Sequence, residues 1–340
     1  MNKDLNIQIE EALKAYRASG VEDQVDYQKF YLYSIVTHST AIEGSTVTEI
    51  ENQLLFDEGI AAKGRSLAEQ MMNVDLKDAY LHAFWVASEN PKYTPKLLQQ
   101  LSALVMRRTG SEYSTIAGHF DSSKGEFRLC NVSAGIGGRS YMAYNKVPRA
   151  VDDFCRWLNE EIDKVDRTNI AACYRLSFEA HFRLVTIHPW VDGNGRTTRL
   201  VMNMIQRQLG LVPSIVRKED KSEYIQSLVD SRENNDSTIA QYVMLRQHIA
   251  NLNRRVSQYQ ENDTVNDTTC ANNDTVTGLK NSLQKVYTVI QNNPKITHSE
   301  IMETLHISES TAKRATRDLK KLGYIAREGS DKTGKWIIIK

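Results

Sequence analysis

The chain has 340 residues, of which 41% are hydrophobic and 25% charged, and its formal net charge is +1. This balance is ordinary for a soluble protein of one or two domains, and it excludes a polyelectrolyte. No apolar run is long enough to span a bilayer, so we expect no membrane segment. Four cysteines without a Cys-x-x-Cys pair argue against a disulfide scaffold and structural zinc, and favour a reducing cytoplasm.

Apolar periodicity predicts helices throughout the N-terminal region. The helices expected there cover residues 6–18, 26–38, 66–85 and 94–108. Gly44 is expected to cap the second of them. Thr46, followed three residues later by Glu49, predicts a capping box at the start of another helix.

Residues 110–146 differ in character, because glycines and short apolar runs replace helical periodicity. We expect a β-hairpin here, with strands near 126–132 or 139–145. A glycine-rich surface loop without a partner is the alternative. Helical patterns return afterwards, at 149–163, 168–187, 196–208, 220–232 and 237–254.

Residues 255–280 predict a disordered linker, since they are rich in Asn, Asp and Thr and repeat Asn-Asp-Thr-Val. Residues 281–340 carry eleven Lys and Arg against six Asp and Glu. Their pattern of three helices and two short strands predicts a winged helix-turn-helix. Lys313, Arg314 and Arg317 lie on the exposed face of its third helix, which fits a major groove. Binding to another protein, or pairing of two chains, is the alternative role for this domain.

The densest chemistry lies in residues 188–199, which read His-Pro-Trp-Val-Asp-Gly-Asn-Gly-Arg-Thr-Thr-Arg and run into a helix. A helix N-terminus after a glycine turn binds anions. Arg196 and Arg199 share one helical face, and two guanidinium groups beside such a turn suit a polyphosphate. Asp192 is suited to the Mg²⁺ that accompanies polyphosphate, and His188 to accepting a proton near neutral pH.

This stretch resembles the signature of the Fic (Fido) family, His-x-Phe-x-(Asp/Glu)-Gly-Asn-Gly-Arg-x-x-Arg. Every defined position matches except Trp190, which stands where the family usually has a buried Phe. The resemblance implies transfer of AMP from Mg·ATP to a protein hydroxyl, with His188 as general base and Asp192 on Mg²⁺. The nucleotide-binding residues that it implies are Gly193, Asn194, Gly195, Arg196, Thr197, Thr198 and Arg199, with Arg196 near the α- and β-phosphates and Arg199 near the γ-phosphate.

Ser39-x-x-x-Glu43-Gly44 resembles the family's inhibitory motif, (Ser/Thr)-x-x-x-Glu-(Gly/Asn). In that interpretation Glu43 pairs with Arg199 and occupies the space of the γ-phosphate, so an N-terminal helix inhibits the same chain. The alternative is that Glu43 is a surface residue beside a turn. The resemblance further implies a flap, best matched by residues 137–145, on which a target protein docks as an added strand. It also implies that Tyr224 contacts the adenine.

We therefore expect a mostly α protein with a small β-hairpin flap and a C-terminal winged helix. Its expected parts are an N-terminal helical region with the inhibitory helix (1–95), a Fic catalytic core (96–254), the linker (255–280) and the winged helix (281–340). The leading hypothesis is an autoinhibited protein adenylyltransferase that modifies a Tyr, Thr or Ser hydroxyl. The alternatives are a DNA-binding regulator, contacting DNA through 308–336 with a nucleotide-sensing or inert core, and an enzyme that removes AMP. Family members often pair, but no residue identifies a homodimer.

Overall fold

A computed structural model describes residues 4–133, 139–268, 281–305, 307, 309–329 and 334–339. The chain divides into two compact units, Met1–Thr264 and Val265–Lys340. The expected N-terminal helical region (1–95) and core (96–254) both fall within the first unit. None of the helices in the described ranges is both long and apolar enough to cross a membrane.

The first unit is mostly helical, as the sequence predicts. Its helices are α1 Leu5–Ala18, α2 Tyr27–Ile42, α3 Glu49–Glu58, α4 Leu67–Ser88, α5 Pro95–Val105, α6 Val147–Lys164, α7 Ile170–Ile187, α8 Asn194–Gln208, α9 Lys221–Asn234 and α10 Thr238–Thr268, the last of which ends beyond the unit boundary. The helices predicted from apolar periodicity all form, and their ends differ by a few residues except in α10, which continues well past the predicted end at residue 254.

Helix α8 lies at the centre of this unit. It packs against α2, α4, α5 and α7, and thirteen of its fifteen residues are buried. A helix that is buried on every side must satisfy its polar side chains internally. Asn203 donates to the Tyr80 hydroxyl at 3.0 Å, and Gln206 donates to the Ser177 and Ser214 hydroxyls at 2.9 and 3.0 Å. The start of α8 is therefore held on a rigid support.

The predicted capping box at Thr46 and Glu49 is wrong by two residues. Thr48 caps α3, because its hydroxyl accepts from the Glu51 amide at 3.2 Å while Glu51 accepts from the Thr48 amide at 2.8 Å. Thr46 instead donates its amide and hydroxyl to Glu69, both at 2.8 Å. A long-range partner therefore replaces the local one that the spacing suggested.

The predicted hairpin lies in the expected stretch, but its strands lie elsewhere. β1 (Glu112–Thr115) and β2 (Gly118–Asp121) pair antiparallel, with Glu112 opposite Asp121. The strands expected at 126–132 or 139–145 do not form. The Arg128 side chain donates hydrogen bonds to the carbonyls of Cys130 and Met142, so these carbonyls are not available to a neighbouring strand. A single antiparallel bridge joins Ser133 to Ser140. Residues 137 and 138 of the predicted flap lie outside the described residues.

The linker prediction is wrong for residues 255–268, which continue α10. Val256 and Tyr259 pack against the core of the first unit, and the Arg255 guanidinium lies 4.9 Å from the Tyr31 ring centroid. These contacts stabilise a helix that its polar composition argues against. The remainder of the predicted linker, 269–280, lies outside the described residues.

The second unit is a winged helix-turn-helix, as predicted. It contains α11 Asn281–Asn292, α12 His298–Leu305, α13 Glu309–Lys321 and an antiparallel pair, β3 Ile325–Glu328 with β4 Lys335–Ile338. Trp336 anchors the wing, since it is buried and its indole N–H donates to the Ile296 carbonyl at 2.9 Å. Residues 308 and 330–333, within the range expected to contact DNA, lie outside the described residues.

Candidate active site

His188 caps the C-terminus of α7 and begins the motif loop, residues 188–193, which leads into α8. It adopts left-handed backbone angles (φ 54°, ψ 62°), which are uncommon for a residue with a side chain and are found at constrained functional positions. Its Nδ1 lies 3.3 Å from the Val185 carbonyl. Because a carbonyl only accepts, Nδ1 carries the proton and Nε2 keeps its lone pair. Burial lowers the pKa of His188 to about 4, so the imidazole is neutral at pH 7.

The motif loop is closed by side chains that contact its own backbone. Trp190 is fully buried, and its indole N–H donates to the Gly125 carbonyl at 3.0 Å. Asn194 accepts from the Trp190 amide at 3.1 Å and donates to the Trp190 carbonyl at 2.9 Å. The side chain of Asn194 therefore shapes the loop, and a phosphate would meet the backbone here. Gly193 (φ 75°) has no space for a Cβ, which would lie 2.6 Å from the Met106 sulfur.

Arg196 brings a buried guanidinium to the N-terminus of α8. Its side chain is 4% exposed, and Nε and Nη1 have no hydrogen-bond partner among the described residues. Nη2 lies 3.3 Å from the Met106 sulfur and 3.6 Å from Asp192. Burial lowers the pKa of Arg196. A buried guanidinium with unused donors beside free helix N–H groups fits the phosphates of a nucleotide.

Asp192 lies at the exposed tip of the same loop. One carboxylate oxygen accepts from the Gly193 amide at 2.6 Å, and the side chain is 61% exposed. The described part of the chain holds no group of three or more His, Cys, Asp or Glu side chains that would enclose a metal ion. A single carboxylate fits Mg²⁺ that is held mainly by phosphates and water.

Arg199 and Glu43 form an ion pair across the site. Arg199 Nη2 lies 2.5 Å from Glu43 Oε1, and Arg199 also donates to the Ser39 hydroxyl and carbonyl, both at 2.9 Å. Burial alone would raise the pKa of Glu43, but Arg199 and Arg196 hold it below its usual value. A Cβ on Gly195 would lie 2.3 Å from Glu43 Oε1, so this glycine lets the carboxylate rest against α8. The structure thus brings Glu43 to the arginine that the resemblance pairs with it, and Ser39 of the same motif also contacts this arginine.

Three other predicted nucleotide-binding residues lie deeper in the unit. Tyr224 is 1% exposed, and its hydroxyl is 2.8 Å from His181 Nε2 and also meets Arg199. The Tyr224 hydroxyl therefore helps to hold the Arg199 guanidinium. Its contact with adenine stays a prediction. Thr198 donates to the Gly195 carbonyl at 3.2 Å. The buried Thr197 hydroxyl has no partner in the described ranges.

Sequence reasoning missed Arg128, which joins the flap to the motif loop. The side chain is buried, and its three nitrogens donate to the carbonyls of His188 (2.8 Å), Cys130 (2.7 Å) and Met142 (2.7 Å). It placed Tyr141 in the flap but missed the stack of its ring on His188, with centroids 3.8 Å apart and planes 16° apart. Neither residue belongs to a periodic pattern, so no local signal identifies them.

Comparison with known proteins agrees with this geometry. Residues 92–206 match the profile described as Fic/DOC family, and residues 279–326 match winged helix-turn-helix DNA-binding. The chain contains a Fic/DOC domain. That domain starts near the predicted core boundary at residue 96 and contains His188 and Arg199, whereas Glu43 precedes it. The expected family resemblance is thereby confirmed.

Curated relatives carry a name that bears on activity. The chain is 32% identical over 218 residues to "Protein adenylyltransferase Fic" of Drosophila erecta, and 31% identical over 193 residues to the protein of the same name from Drosophila grimshawi. The matched segments are 63% and 56% of this chain. They span only 40% and 36% of the relatives, so the activity of those longer proteins does not transfer directly.

Solved structures support the fold. A Fic domain-containing signalling protein from Bacteroides thetaiotaomicron aligns with a TM-score of 0.62 at 19% identity, covering 75% of this chain and 97% of that one. A Fic family protein from Desulfovibrio desulfuricans has the same TM-score at 17% identity and covers 99% and 97%. Fic-1 from C. elegans aligns at 0.59 and 20%, covering 75% and 72%. At these identities the likeness concerns architecture alone.

We predict that Trp190→Phe destabilises the first unit by about 1–2 kcal/mol, because phenylalanine leaves the buried Gly125 carbonyl without its donor. Chemical denaturation of the full chain measures this. Trp85→Phe is the matched control, since the Trp85 side chain is 63% exposed, and it is expected to change stability by less than about 0.5 kcal/mol. Equal stability of Trp190→Phe and the parent would show that the indole hydrogen bond contributes nothing.

Proposed function

We propose that this protein is an autoinhibited protein adenylyltransferase, which transfers AMP from Mg·ATP to a Tyr, Thr or Ser hydroxyl of a target protein. The observation that carries the proposal is the Glu43–Arg199 ion pair at the N-terminal end of a helix that also carries Arg196, two of whose nitrogens have no hydrogen-bond partner within the described residues. The names of the Drosophila relatives support the reaction class.

The nucleotide would bind along the start of α8. The backbone N–H groups of 194 and 195 and the free donors of Arg196 suit the α- and β-phosphates, and Arg199 suits the γ-phosphate. Thr197 lies beside these residues, and its hydroxyl has no hydrogen-bond partner among the residues that the structure describes. Asp192 would hold Mg²⁺, which neutralises charge on the leaving pyrophosphate.

His188 would act as the general base. The lone pair of Nε2 takes the proton of the target hydroxyl, whose oxygen then forms a bond to the α-phosphorus. The bond from the α-phosphorus to the oxygen that bridges to the β-phosphate breaks, and pyrophosphate leaves. Burial holds the pKa of His188 at about 4, so the imidazole is neutral throughout the physiological pH range and its Nε2 lone pair is available. Positioning and charge stabilisation would supply the remainder of the catalysis.

Glu43 would inhibit by pairing with Arg199, the side chain that the γ-phosphate needs as its own partner. A carboxylate 2.5 Å from Arg199 competes for its guanidinium and repels a triphosphate. Since the pKa of Glu43 lies below its usual value, the carboxylate stays ionised at neutral pH and the inhibition does not depend on a proton.

The target would dock on the flap, residues 137–145, as an added strand. The antiparallel bridge between Ser133 and Ser140 supports this, because it shows extended backbone beside the motif loop. The Arg128 contacts to the Met142 and His188 carbonyls fix that backbone relative to the base.

We expect label from ATP carrying ³²P at the α-phosphate, and none from γ-labelled ATP, to enter protein when Mg²⁺ and cell lysate are present. Glu43→Gly is expected to give at least about tenfold more label than wild type, because the γ-phosphate regains Arg199. Glu43→Gly combined with His188→Ala should give none.

Label from the γ-phosphate would indicate a kinase. No increase in Glu43→Gly over wild type would overturn the inhibitory role of Glu43. Release of AMP by wild type from protein labelled with Glu43→Gly would instead favour AMP removal, with Glu43 orienting a water molecule.

A second candidate function, DNA binding by the second unit, is favoured by the exposed basic face of α13. Lys313, Arg314 and Arg317 are exposed, while Ala312 and Leu319 on the opposite face are buried in the winged-helix core. This arrangement, together with the matched domain description, supports a helix that inserts its basic face into a major groove.

We predict that replacing Lys313, Arg314 and Arg317 together with alanine weakens binding to duplex DNA and lowers the salt dependence of binding. Each lost phosphate contact reduces the slope of log K against log salt by about 0.9. Fluorescence anisotropy at several salt concentrations measures both quantities. Lys63→Ala, an exposed lysine of the first unit, is the control. An unchanged slope in the triple variant would argue for a protein-binding winged helix.

A further inference from the structure

Tyr141 covers one face of the imidazole that the proposed reaction uses. The two ring centroids lie 3.8 Å apart and the planes are inclined by 16°, so the rings are in parallel contact. Contact at this distance blocks rotation of the imidazole about its Cβ–Cγ bond, because the turning ring would collide with the phenol. The Nδ1 bond to Val185, at 3.3 Å, is too long to hold the ring orientation alone.

Arg128 holds Tyr141 in this position through the backbone. Its guanidinium donates to the carbonyl of Met142, the residue after Tyr141, and to the carbonyl of His188. One buried side chain therefore joins the two segments that carry the stacked rings. The Tyr141 amide also donates to the Val132 carbonyl at 3.0 Å, which connects it to the opposite side of the flap.

Arg232, in the last turn of α9, holds the other face of the phenol. Its guanidinium carbon lies 5.0 Å from the Tyr141 ring centroid, at cation–π distance. Since His188 occupies one face at 3.8 Å, Arg232 lies over the other. Its Nε is buried without a hydrogen-bond partner in the part of the chain that the structure describes.

We propose that Tyr141 is the positioning residue of the general base: its ring fixes the plane of the His188 imidazole so that Nε2 faces the target hydroxyl. This role rests on the proposed adenylyl transfer. Tyr141 acts through His188 and takes no part in breaking or forming bonds. Its aromatic ring provides the contact, and its hydroxyl is not needed.

The charged groups that face His188 are Arg128 from the flap, Arg232 from α9 and Glu43 from the end of α2. The two arginines disfavour the imidazolium and Glu43 favours it, while burial has the largest effect and lowers the pKa. Removing the Tyr141 ring admits water to the imidazole. The pKa of His188 should then rise from about 4 toward its ordinary value of 6.5.

The test uses the full chain in four forms: Glu43→Gly alone and with Tyr141→Phe, Tyr141→Leu or Tyr141→Ala. Histidine-selective NMR follows the titration of His188, which His188→Ala identifies among the eight histidines. Phe keeps the stack, so we expect the parent titration. Leucine keeps the bulk of the side chain without the ring stack, and alanine removes the bulk as well. Both variants should therefore raise the pKa of His188, and the alanine variant should raise it further. Tyr242→Ala, at an exposed tyrosine of α10, is the control and should change nothing.

The same variants are assayed for transfer from α-labelled ATP into lysate protein, with ATP varied. Tyr141→Ala should lower the maximal rate by about tenfold to a hundredfold, the cost of a misplaced catalytic group, and leave the half-saturating ATP concentration unchanged. Tyr141→Phe should stay within about twofold of the parent. An Ala variant with parent titration and parent rate, or a Phe variant as slow as Ala, overturns the proposal. If Glu43→Gly itself transfers no label, adenylyl transfer fails, and the titration still decides whether Tyr141 orients the imidazole.

Discussion

The ion pair between Arg199 and Glu43 is the interaction on which the candidate site depends. Arg199 is 2% exposed, and a buried guanidinium without an anion is strongly destabilising. Glu43 supplies that anion from the end of α2, while Ser39 and Tyr224 fill the remaining positions around the guanidinium. In the proposed function, a γ-phosphate replaces the carboxylate and does not share the arginine with it. The residue that stabilises the resting protein is therefore also the one that competes with the proposed substrate.

Local chemistry explains what could be predicted. Helices such as α4 and α6 follow from apolar residues at helical spacing, and α8 follows from the absence of Gly and Pro after residue 195. Arg196, Arg199 and His188 lie close in sequence, so a glycine turn before a helix was enough to indicate an anion site. Glu43 is 156 residues from Arg199, and composition and spacing alone could not pair them. The resemblance to a family motif did.

Tertiary contacts explain what was missed. Arg128 gives no sequence signal, because its partners are three main-chain carbonyls from separate segments. Tyr141 was expected to belong to the target-docking flap. Its stack on His188 depends on the Arg128 contacts, which the sequence does not reveal. Thr48 caps α3 in place of Thr46, because the Thr46 amide donates to Glu69, which is distant in sequence. Helix α10 continues past residue 254 because Tyr259 packs against the hydrophobic core of the first unit.

The most direct test compares the binding of ATP with that of ADP, since only ATP carries the phosphate that Glu43 is proposed to exclude. Calorimetry with His188→Ala and with His188→Ala combined with Glu43→Gly avoids turnover. Removing Glu43 should tighten ATP binding by about tenfold or more, at 1.4 kcal/mol per tenfold, and change ADP binding by less than about twofold. Equal gains for ATP and ADP, or no gain for either, would contradict the claim that Glu43 occupies the place of the γ-phosphate.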